Sequence, residues 1–585
     1  MEQEETRNGK SFTAVYTWWL WLGLAAMAGL GVVVARLAAG TGPAALPWSQ
    51  QYAPVGNSIF LSSLCAALPI VTIFLLMAGL RLPAHTSALA GLGLTLLLAT
   101  QVWQMPARLA ASSVLLGAAT AIFPILWTLA NAVWIFNMLV ASGYFEILKQ
   151  SLAAVTCDRR LQTVLIGFGF TTLLESIAAF GAPIAVVAAM LVGIGFPPVL
   201  AAVVTLLADT TIASWGTQGM PVVILHSVTG LDITALAAVI GRQTPVASAL
   251  FPIALVLLVS GWRGFKEVWG VTLLAGLAYG AVAALVANFQ GPYTVGIAAS
   301  LASIATVLVV LHRWRPRRLW LFPTDTPLQN GSGNGCPLPP AAVVRAWSPY
   351  LLLVLVIGLV NSTPLKTWLA KVSTVTFAWP VLHNAVLKTA PVTATPEAYP
   401  AVYSQPLLTV GGTLVFVAGI LTALTLGIGP RRALSIYTQT LKQLRLPGLT
   451  IVCLLSTAYL MNYSAMTYTV GLAFGSTGFW FPMATAFLGM IGCTLAGSVA
   501  ASNALFGNLA VVGGAQIGID PVLAAGTLSS GGTMGKAVAF QNIVVAGVAL
   551  QLNNKEGELL RRVFWPSILF ALLIGGIAMV QHHLW

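Results

Sequence analysis

The chain has 585 residues, of which 58% are hydrophobic and only 7% are charged, and its mean hydropathy is +0.90. A soluble globular protein carries about 25% charged residues, so this composition excludes a soluble protein and indicates a polytopic membrane protein. The net charge of +13 comes from basic residues in short loops between apolar spans, which is typical of topology determinants and not of a nucleic-acid-binding surface. Five cysteines without paired spacing indicate neither a disulfide framework nor a cysteine metal site.

The apolar runs predict an all-α polytopic membrane protein of about 12 to 14 transmembrane helices. Residues 1–57 form an N-terminal segment whose first span is uncleaved, since its apolar run is too long for a secretory signal. Two transmembrane halves follow, at 58–320 and 347–585, joined by a turn-rich linker loop at 321–346. Spans are predicted near 14–35, 58–79, 85–102, 117–141, 244–260, 268–288, 294–311, 347–361, 407–428 and 449–473, with broken segments at 161–225 and 481–550 and a last span at the C-terminus.

The stretch from Leu165 to Pro221 contains two charged residues, Glu175 and Asp209, in an otherwise uncharged apolar run. Uncompensated carboxylates at membrane depth are costly, which favours a functional role; the alternative is a pair of protonated or hydrogen-bonded carboxyl groups that only join helices. Glycine and proline interrupt the run at 180–183 and 196–198. Broken helices need their free backbone groups satisfied by protein or by a water-lined cavity, and secondary transporters build midplane binding sites in this way.

The same pattern recurs 323 residues later in the chain. The run IGFPPVLAA at 194–202 matches IGIDPVLAA at 517–525, and 180–187 matches 506–512 more weakly once three residues are dropped. Two matches in the same order favour an internal duplication over chance. The duplicated core is predicted at about 161–260 and 481–550.

The basic loops predict how the two repeats are oriented. The first repeat begins directly after the basic residues at 149–160, whereas one additional span separates the second repeat from the basic residues at 431–445. Because positive residues favour the cytoplasmic side, the repeats are predicted to have inverted topology. Alternating-access transporters share this architecture.

Lys536 is a lone cation in the second repeat, at the end of the run GGTMGK. A buried ammonium needs an anion, which is either a protein carboxylate (Glu175 or Asp209) or a substrate, and both alternatives stay open here. The neighbouring glycines allow backbone N–H groups to approach a carboxylate closely. The run is not a phosphate-binding loop, because Ser530 stands where the motif requires glycine and no strand precedes it.

Other polar residues within apolar surroundings are further candidates. Arg242 is either a gate or an interfacial anchor, and the run 462–464 either caps helices or lines a cavity. The segment 497–508 concentrates small hydroxyl and amide side chains. Neither a His/Cys/Asp set with metal-ligand spacing nor a Ser/His/Asp set is apparent, so no metal, cofactor or enzymatic activity is predicted.

Several short motifs together resemble the bacterial L-lactate permease family, over most of the chain from about residue 58 to the C-terminus. The motifs lie at 175–183, 216–221, 241–243 (GRQ), 261–267 (GWRGFKE), 462–464 (NYS), 502–506 (SNALF) and 531–536 (GGTMGK). The resemblance implies uptake of L-lactate, and of D-lactate and glycolate, by proton symport across the bacterial inner membrane. The implied partners are a small carboxylate anion, a proton and the lipid bilayer.

This resemblance and the broken helices together select the candidate site residues. Glu175 and Asp209 are the candidates for proton coupling. We expect the substrate carboxylate to be held by Lys536, by backbone N–H groups at the helix breaks and by Ser502 and Asn503. The full set of substrate-binding candidates is Phe180, Gly181, Gly216, Gln218, Tyr463, Ser464, Ser502, Asn503 and Lys536.

The chain departs from the family pattern at three sensitive places. The glutamate is followed by Ser-Ile-Ala-Ala-Phe-Gly where the pattern has Gly-Ala-Ala-Gly-Phe-Gly, Asp209 replaces an asparagine, and Val499 replaces an aspartate. One intramembrane acid is lost and another is gained, so proton coupling and the transported substrate are where this chain can differ from the family. The alternatives to lactate uptake are therefore transport of another mono- or dicarboxylate and, with less support, a membrane-embedded enzyme or sensor.

Overall fold

The computed structural model describes residues 47–80, 82–177, 182–322, 339–360, 363–393, 395–552 and 555–584. The predicted first span near 14–35 and most of the linker loop lie outside these residues. Within them the chain is mainly helical, as predicted.

The described residues of the first half form twelve α-helices and one short strand. They are β1 (Trp48–Ser49), α1 (Ile59–Phe74), α2 (Ala84–Gln101), α3 (Ala107–Thr120), α4 (Trp127–Ala141), α5 (Tyr144–Ala153), α6 (Arg159–Gln162), α7 (Thr171–Glu175), α8 (Ala182–Gly193), α9 (Pro198–Thr211), α10 (Gly216–Thr229), α11 (Ile233–Phe289) and α12 (Val295–Arg313). Wider, π-helical turns continue α1, join α3 to α4 and join α6 to α7.

Ten α-helices and four short strands are described in the second half. They are α13 (Pro340–Val360), α14 (Thr363–Ser373), β2 (Thr374–Ala378), β3 (Val386–Lys388), β4 (Glu397–Ala398), β5 (Val402–Pro406), α15 (Gly411–Thr425), α16 (Pro430–Tyr463), α17 (Met466–Phe474), α18 (Phe481–Ala496), α19 (Val499–Ala515), α20 (Pro521–Gly535), α21 (Phe540–Ala549) and α22 (Glu556–Leu584).

Eight helices in the described residues are long and apolar enough to cross a membrane, or nine if the bent pair α9 and α10 is one span. Two of the helices are longer than the sequence pattern predicts. The 57 residues of α11 extend far beyond the roughly 20 residues that one crossing needs, and Gly261, with φ of +64°, breaks the helix near its middle. The basic residues at 431–445 lie in the first half of α16 instead of in a loop.

Contacts between distant segments define two ends of the molecule. At one end, here called the basic end, the guanidinium of Arg160 donates to Asp158, to Glu267 and to the carbonyl oxygens of Gly264 and Arg318. Arg160 is fully buried. A residue that the sequence suggests to be a simple topology determinant is therefore the centre of a network that joins three segments of the chain.

The opposite end, here called the strand end, carries the five short strands found among the described residues. β1 pairs with β3 in parallel and β3 with β4 antiparallel, while β2 and β5 form a separate antiparallel pair with Thr374 opposite Pro406. The amide of Gln50 donates to the carbonyl oxygens of Asn462 and Tyr463, which ties this layer to the end of α16.

The duplicated sequence motif builds the same turn twice. Gly195 and Gly518 both have positive φ, at +107° and +76°. In each turn an N–H donates a hydrogen bond to the carbonyl oxygen five residues earlier. The Phe196 N–H donates to the Leu191 oxygen at 2.9 Å, and the Ile519 N–H donates to the Gly514 oxygen at 3.0 Å. Proline then occupies the first position of α9 and of α20, where its missing N–H is not needed.

The helices that follow these turns break at matching positions. α9 ends at Thr211 and α10 begins at Gly216, while α20 ends at Gly535 and α21 begins at Phe540. α9 begins beside Phe196, which contacts Phe322 at the basic end, and α10 ends where Val228 accepts a hydrogen bond from Asn462 at the strand end. The break between α9 and α10 therefore lies about halfway between the two ends.

Small residues let α18 and α20 approach closely. A Cβ at Gly489 would lie 2.0 Å from the Leu528 oxygen, and a Cβ at Gly531 would lie 2.1 Å from the Ala486 oxygen. Close backbone contact through glycine is how helices associate where lipid removes the usual hydrophobic driving force. This packing fixes the end of α20, and with it Lys536, against the hairpin formed by α18 and α19.

Candidate functional site

Three charged side chains meet at the helix breaks. The ammonium Nζ of Lys536 donates to Oε1 of Glu175 and lies 2.9 Å from Oδ2 of Asp209. The exposed fractions of Lys536, Glu175 and Asp209 are 6%, 3% and 1%. The structure therefore brings together the three charges that the sequence singles out, two from the first repeat and one from the second.

The secondary structure explains why these side chains converge. Glu175 is the last residue of α7, Asp209 lies in the last turn of α9, and Lys536 directly follows α20. Each of the three residues therefore lies at the end of a helix, next to a break in the helical backbone. The carbonyl oxygen of Lys536 accepts a hydrogen bond of 2.9 Å from the Asn542 amide, which fixes the break in the second repeat.

The charges in this cluster do not balance when all three groups are ionised. One ammonium faces two carboxylates, so the cluster carries a net charge of −1, and a single proton on either acid makes it neutral. Oε2 of Glu175 and Oδ1 of Asp209 are buried and have no hydrogen-bond partner among the described residues. Both acids therefore have an oxygen that can take up a proton without losing a contact.

The turn at 216–219 lies against this cluster. A Cβ at Gly216 would come 2.9 Å from Oε1 of Glu175, so glycine leaves the space that the carboxylate fills. The next three residues, Thr217, Gln218 and Gly219, all have left-handed backbone angles, with φ of +46°, +52° and +72°. The Gln218 N–H donates to the oxygen of Ser176, next to Glu175, and so holds the turn beside the acid.

A cavity of about 270 Å³ adjoins the cluster. Glu175, Gly216, Thr217 and Lys536 line one part of it, together with Ser498 and the following residues at the start of α19. The wall elsewhere is mostly apolar and includes Met77, His85, Leu446, Pro447 and Thr450. A mostly apolar cavity with a few converging polar groups is the form that small-molecule sites take.

The start of α19 presents backbone donors to this cavity. Ser498 caps the helix by accepting from the Ala501 N–H at 3.1 Å. The N–H groups of Val499 and Ala500, which have no partner within the helix, belong to residues that line the cavity. Such a helix terminus favours an anion, because both the free donors and the helix dipole attract negative charge.

The structure places the other sequence-predicted residues elsewhere. Ser502 donates to the Gly489 oxygen, and Asn503 donates to the Pro221 oxygen and to Ser529 Oγ. Both are buried within helix contacts and do not line the cavity. Gln218 is buried beside the cluster, and its side-chain amide has no hydrogen-bond partner among the described residues.

Three further candidates lie away from the cluster, and two lie outside the described residues. Tyr463 donates to the Pro400 oxygen and, with Ser464, belongs to the strand end. Arg242 is exposed and donates from Nε to Asn288 at 3.1 Å, which suits an anchor better than a gate. Phe180 and Gly181 lie outside the residues that the structure describes.

Two site residues escape prediction from sequence. Thr217 is one polar residue among many, and its orientation depends on a backbone conformation that the sequence does not signal. Asn542 is noticed only once the break before α21 is located. Two of the three positions at which the resemblance implies a departure from the family pattern lie at the site, since Asp209 contacts Lys536 and Val499 packs with Ala213 and Cys493.

The described residues contain no group of three or more His, Cys, Asp or Glu side chains that could hold a metal ion. The family model for L-lactate permease matches residues 62–585 of the chain. The chain belongs to the L-lactate permease family. It is therefore a multi-pass transporter of the bacterial inner membrane and not an enzyme.

Two curated relatives match almost the whole chain. The glycolate permease GlcA of Escherichia coli K12 is 36% identical over 91% of this chain and 98% of its own length. The L-lactate permease of Bacillus subtilis 168 is 34% identical over 92% of this chain and 99% of its own. Among solved structures, MtrF of Neisseria gonorrhoeae, an antimetabolite efflux pump, aligns with 78% of this chain and 81% of its own at 13% identity and a TM-score of 0.43.

Proposed function

We propose that this family member imports L-lactate and related 2-hydroxy monocarboxylates, including D-lactate and glycolate, together with a proton. The observation that carries the proposal is the Lys536–Glu175–Asp209 cluster, which joins the two repeats beside a cavity of small-molecule size. Relatives named for lactate and for glycolate cover more than nine-tenths of the chain, and both names denote small 2-hydroxy acids.

The charges of the cluster give a physical reason for proton coupling. The cluster already carries −1 when both acids are ionised, so an arriving carboxylate meets net repulsion in a buried site where charges are weakly screened. A proton on Glu175 or Asp209 makes the cluster neutral and leaves Lys536 able to attract the anion. Anion and proton therefore bind more strongly together than either does alone, which is the thermodynamic condition for symport.

The substrate carboxylate is proposed to lie between Lys536 and the start of α19. Lys536 supplies the positive charge, and the N–H groups of Val499 and Ala500 supply hydrogen bonds and the positive end of the helix dipole. Ser502 and Asn503 already donate to protein acceptors, so their role in this proposal is to hold α19 in place and not to contact the substrate.

The two repeats contribute opposite charges to the cluster, which suits alternating access. Glu175 and Asp209 belong to the first repeat and Lys536 to the second, so rocking of one repeat against the other would open or close these contacts. The basic end is cytoplasmic by the positive-inside rule. The cavity extends from the cluster past Pro447 to His85, toward that end, which supports an inward-facing state.

Uptake of radiolabelled L-lactate into proteoliposomes, with and without an inward proton gradient, tests the proposal. The expected result is accumulation that the gradient stimulates. Neutral variants then identify the proton carrier: Glu175→Gln or Asp209→Asn should abolish gradient-driven accumulation while lactate exchange between the two sides persists. Glu146→Gln removes an exposed carboxylate that pairs with Lys149, and it serves as the control that should behave like the unmodified protein.

The outcomes separate the parts of the proposal. Unchanged proton influx in Glu175→Gln would remove Glu175 from the coupling role and leave Asp209. If the unmodified protein takes up lactate equally well with and without the proton gradient, proton symport would be overturned. No lactate uptake by a folded preparation would overturn the substrate class and point to another organic anion.

A further inference from the structure

Thr217 combines two unusual properties at the site. It is β-branched, yet its backbone is left-handed, with φ of +46° and ψ of +60°, a conformation in which such residues are rare outliers. It is also 2% exposed, and its hydroxyl Oγ1 has no hydrogen-bond partner among the described residues. Strained backbone and an unpartnered buried hydroxyl are both unfavourable, and residues with strained backbone cluster at functional sites.

The strained turn is fixed from both sides. On one side the Gln218 N–H donates to the Ser176 oxygen at 2.9 Å. On the other side Gly219 rests on Pro292 so closely that a Cβ would lie 2.5 Å from the proline oxygen. The position of Thr217 relative to Glu175 is therefore set by the protein and does not depend on a ligand.

We propose that Thr217 recognises the 2-hydroxyl group of the substrate through a hydrogen bond with Oγ1. The inference rests on the proposed transport of 2-hydroxy monocarboxylates and names the residue that selects them. The hydroxyl of such an acid is one carbon from the carboxylate, so its binding partner must lie beside the carboxylate site. Thr217 lines the same cavity as Lys536 and follows Gly216, which contacts the Glu175 carboxylate.

Other polar groups along the cavity are less suited to this role. Ser498 Oγ caps α19 by accepting from the Ala501 N–H, and the Asn542 amide donates to the Lys536 oxygen. Both side chains therefore already make structural hydrogen bonds, whereas Thr217 Oγ1 makes none among the described residues. Gln541 is exposed, so it can pair with water when the substrate has no hydroxyl. A buried group discriminates more strongly, because an analogue without the hydroxyl leaves it unpaired.

The test compares binding of L-lactate with propionate, and of glycolate with acetate, to the purified full-length protein. In the unmodified protein we expect each hydroxy acid to bind more tightly than its partner by about 3- to 10-fold or more, the range for one net hydrogen bond. Thr217→Val keeps the shape and the β-branching but removes the hydroxyl. It should weaken lactate and glycolate binding by about this factor and leave propionate and acetate unchanged, while Thr217→Ser retains the preference.

Thr211 provides a matched control. Its hydroxyl is also buried and without a hydrogen-bond partner among the described residues, but it does not line the cavity. Thr211→Val should leave both affinity ratios unchanged. A size-exclusion profile and melting temperature identify a Thr217→Val preparation that fails to fold, in which case Thr217→Ala takes its place.

The failure of this proposal differs from failure of the proposed function. Lactate transport with an unchanged lactate-to-propionate ratio in Thr217→Val would overturn the role of Thr217 alone. Equal affinities for lactate and propionate in the unmodified protein would overturn it without any variant. Neither acid binding to folded protein would overturn the substrate class, and the inference with it.

Discussion

Replacing Lys536 with methionine removes the cation that joins Glu175 and Asp209. Methionine has a similar length and no charge, so the change leaves two carboxylates, 3% and 1% exposed, without the ammonium that contacts both. Removing one partner of a buried ion pair costs about 3–5 kcal/mol, because the remaining charge is uncompensated. We expect Lys536→Met to lower the free energy of unfolding by that amount.

The expected change in melting temperature follows from the size of the chain. An unfolding entropy of about 2.1 cal/mol/K per residue gives roughly 1.2 kcal/mol/K for 585 residues, so the loss corresponds to a decrease of about 2–4 °C. The triple variant Lys536→Met/Glu175→Gln/Asp209→Asn has no buried charge left at the site. The uncompensated buried charge that destabilises Lys536→Met is absent from this variant, so it should recover most of the loss.

Differential scanning fluorimetry of the purified protein at pH 7 measures these differences. Lys555→Met, which removes an exposed lysine, is the control and should change the free energy of unfolding by less than about 0.5 kcal/mol. Lys536→Met as stable as the unmodified protein would show that the cluster contributes no interaction energy. A triple variant as unstable as the single one would show that the loss comes from packing and not from charge.

Two other predictions concern the ends of the molecule. Arg160→Lys should lower the free energy of unfolding by about 3 kcal/mol in a denaturation assay, because lysine cannot reproduce the contacts of the planar guanidinium with Asp158 and three other acceptors. The control Arg562→Lys changes an exposed ion pair and should be neutral. Equal stability of both variants and the unmodified protein would refute the reasoning. A membrane-impermeant thiol reagent should label Ser404→Cys, on β5 at the strand end, in intact cells. The exposed Cys157 of the unmodified protein should react with the reagent only after the cells are permeabilised. The reverse pattern would place the strand end in the cytoplasm.

The charged part of the site could be predicted from the sequence because charge within an apolar run is costly wherever the chain folds. Glu175, Asp209 and Lys536 are conspicuous in this way, and the cost of each alone requires a partner. The matching motifs at 194–202 and 517–525 also predict equivalent turns, since glycine and proline restrict the backbone locally. The structure confirms both turns, residue for residue.

The rest of the site depends on contacts between residues far apart in the chain. Arg160 resembles any basic residue beside a span until Glu267, 107 residues later, is placed against it. Tyr463 and Ser464 belong to a motif of the family, but membership in a motif does not fix distance, and both lie at the strand end. Thr217 is in the site because of a left-handed backbone that only the surrounding packing can impose.

The two explanations that the sequence leaves open for the buried acids, a structural contact and a functional site, describe the same contacts in this structure. Lys536 joins the repeats as long as its ammonium faces both Glu175 and Asp209. Protonating one acid weakens that attraction, and an arriving substrate carboxylate offers the ammonium another partner. In the proposed symport mechanism, the cluster loosens when proton and anion bind together, so the interaction that stabilises one state of the transporter would be released only when both ligands are bound.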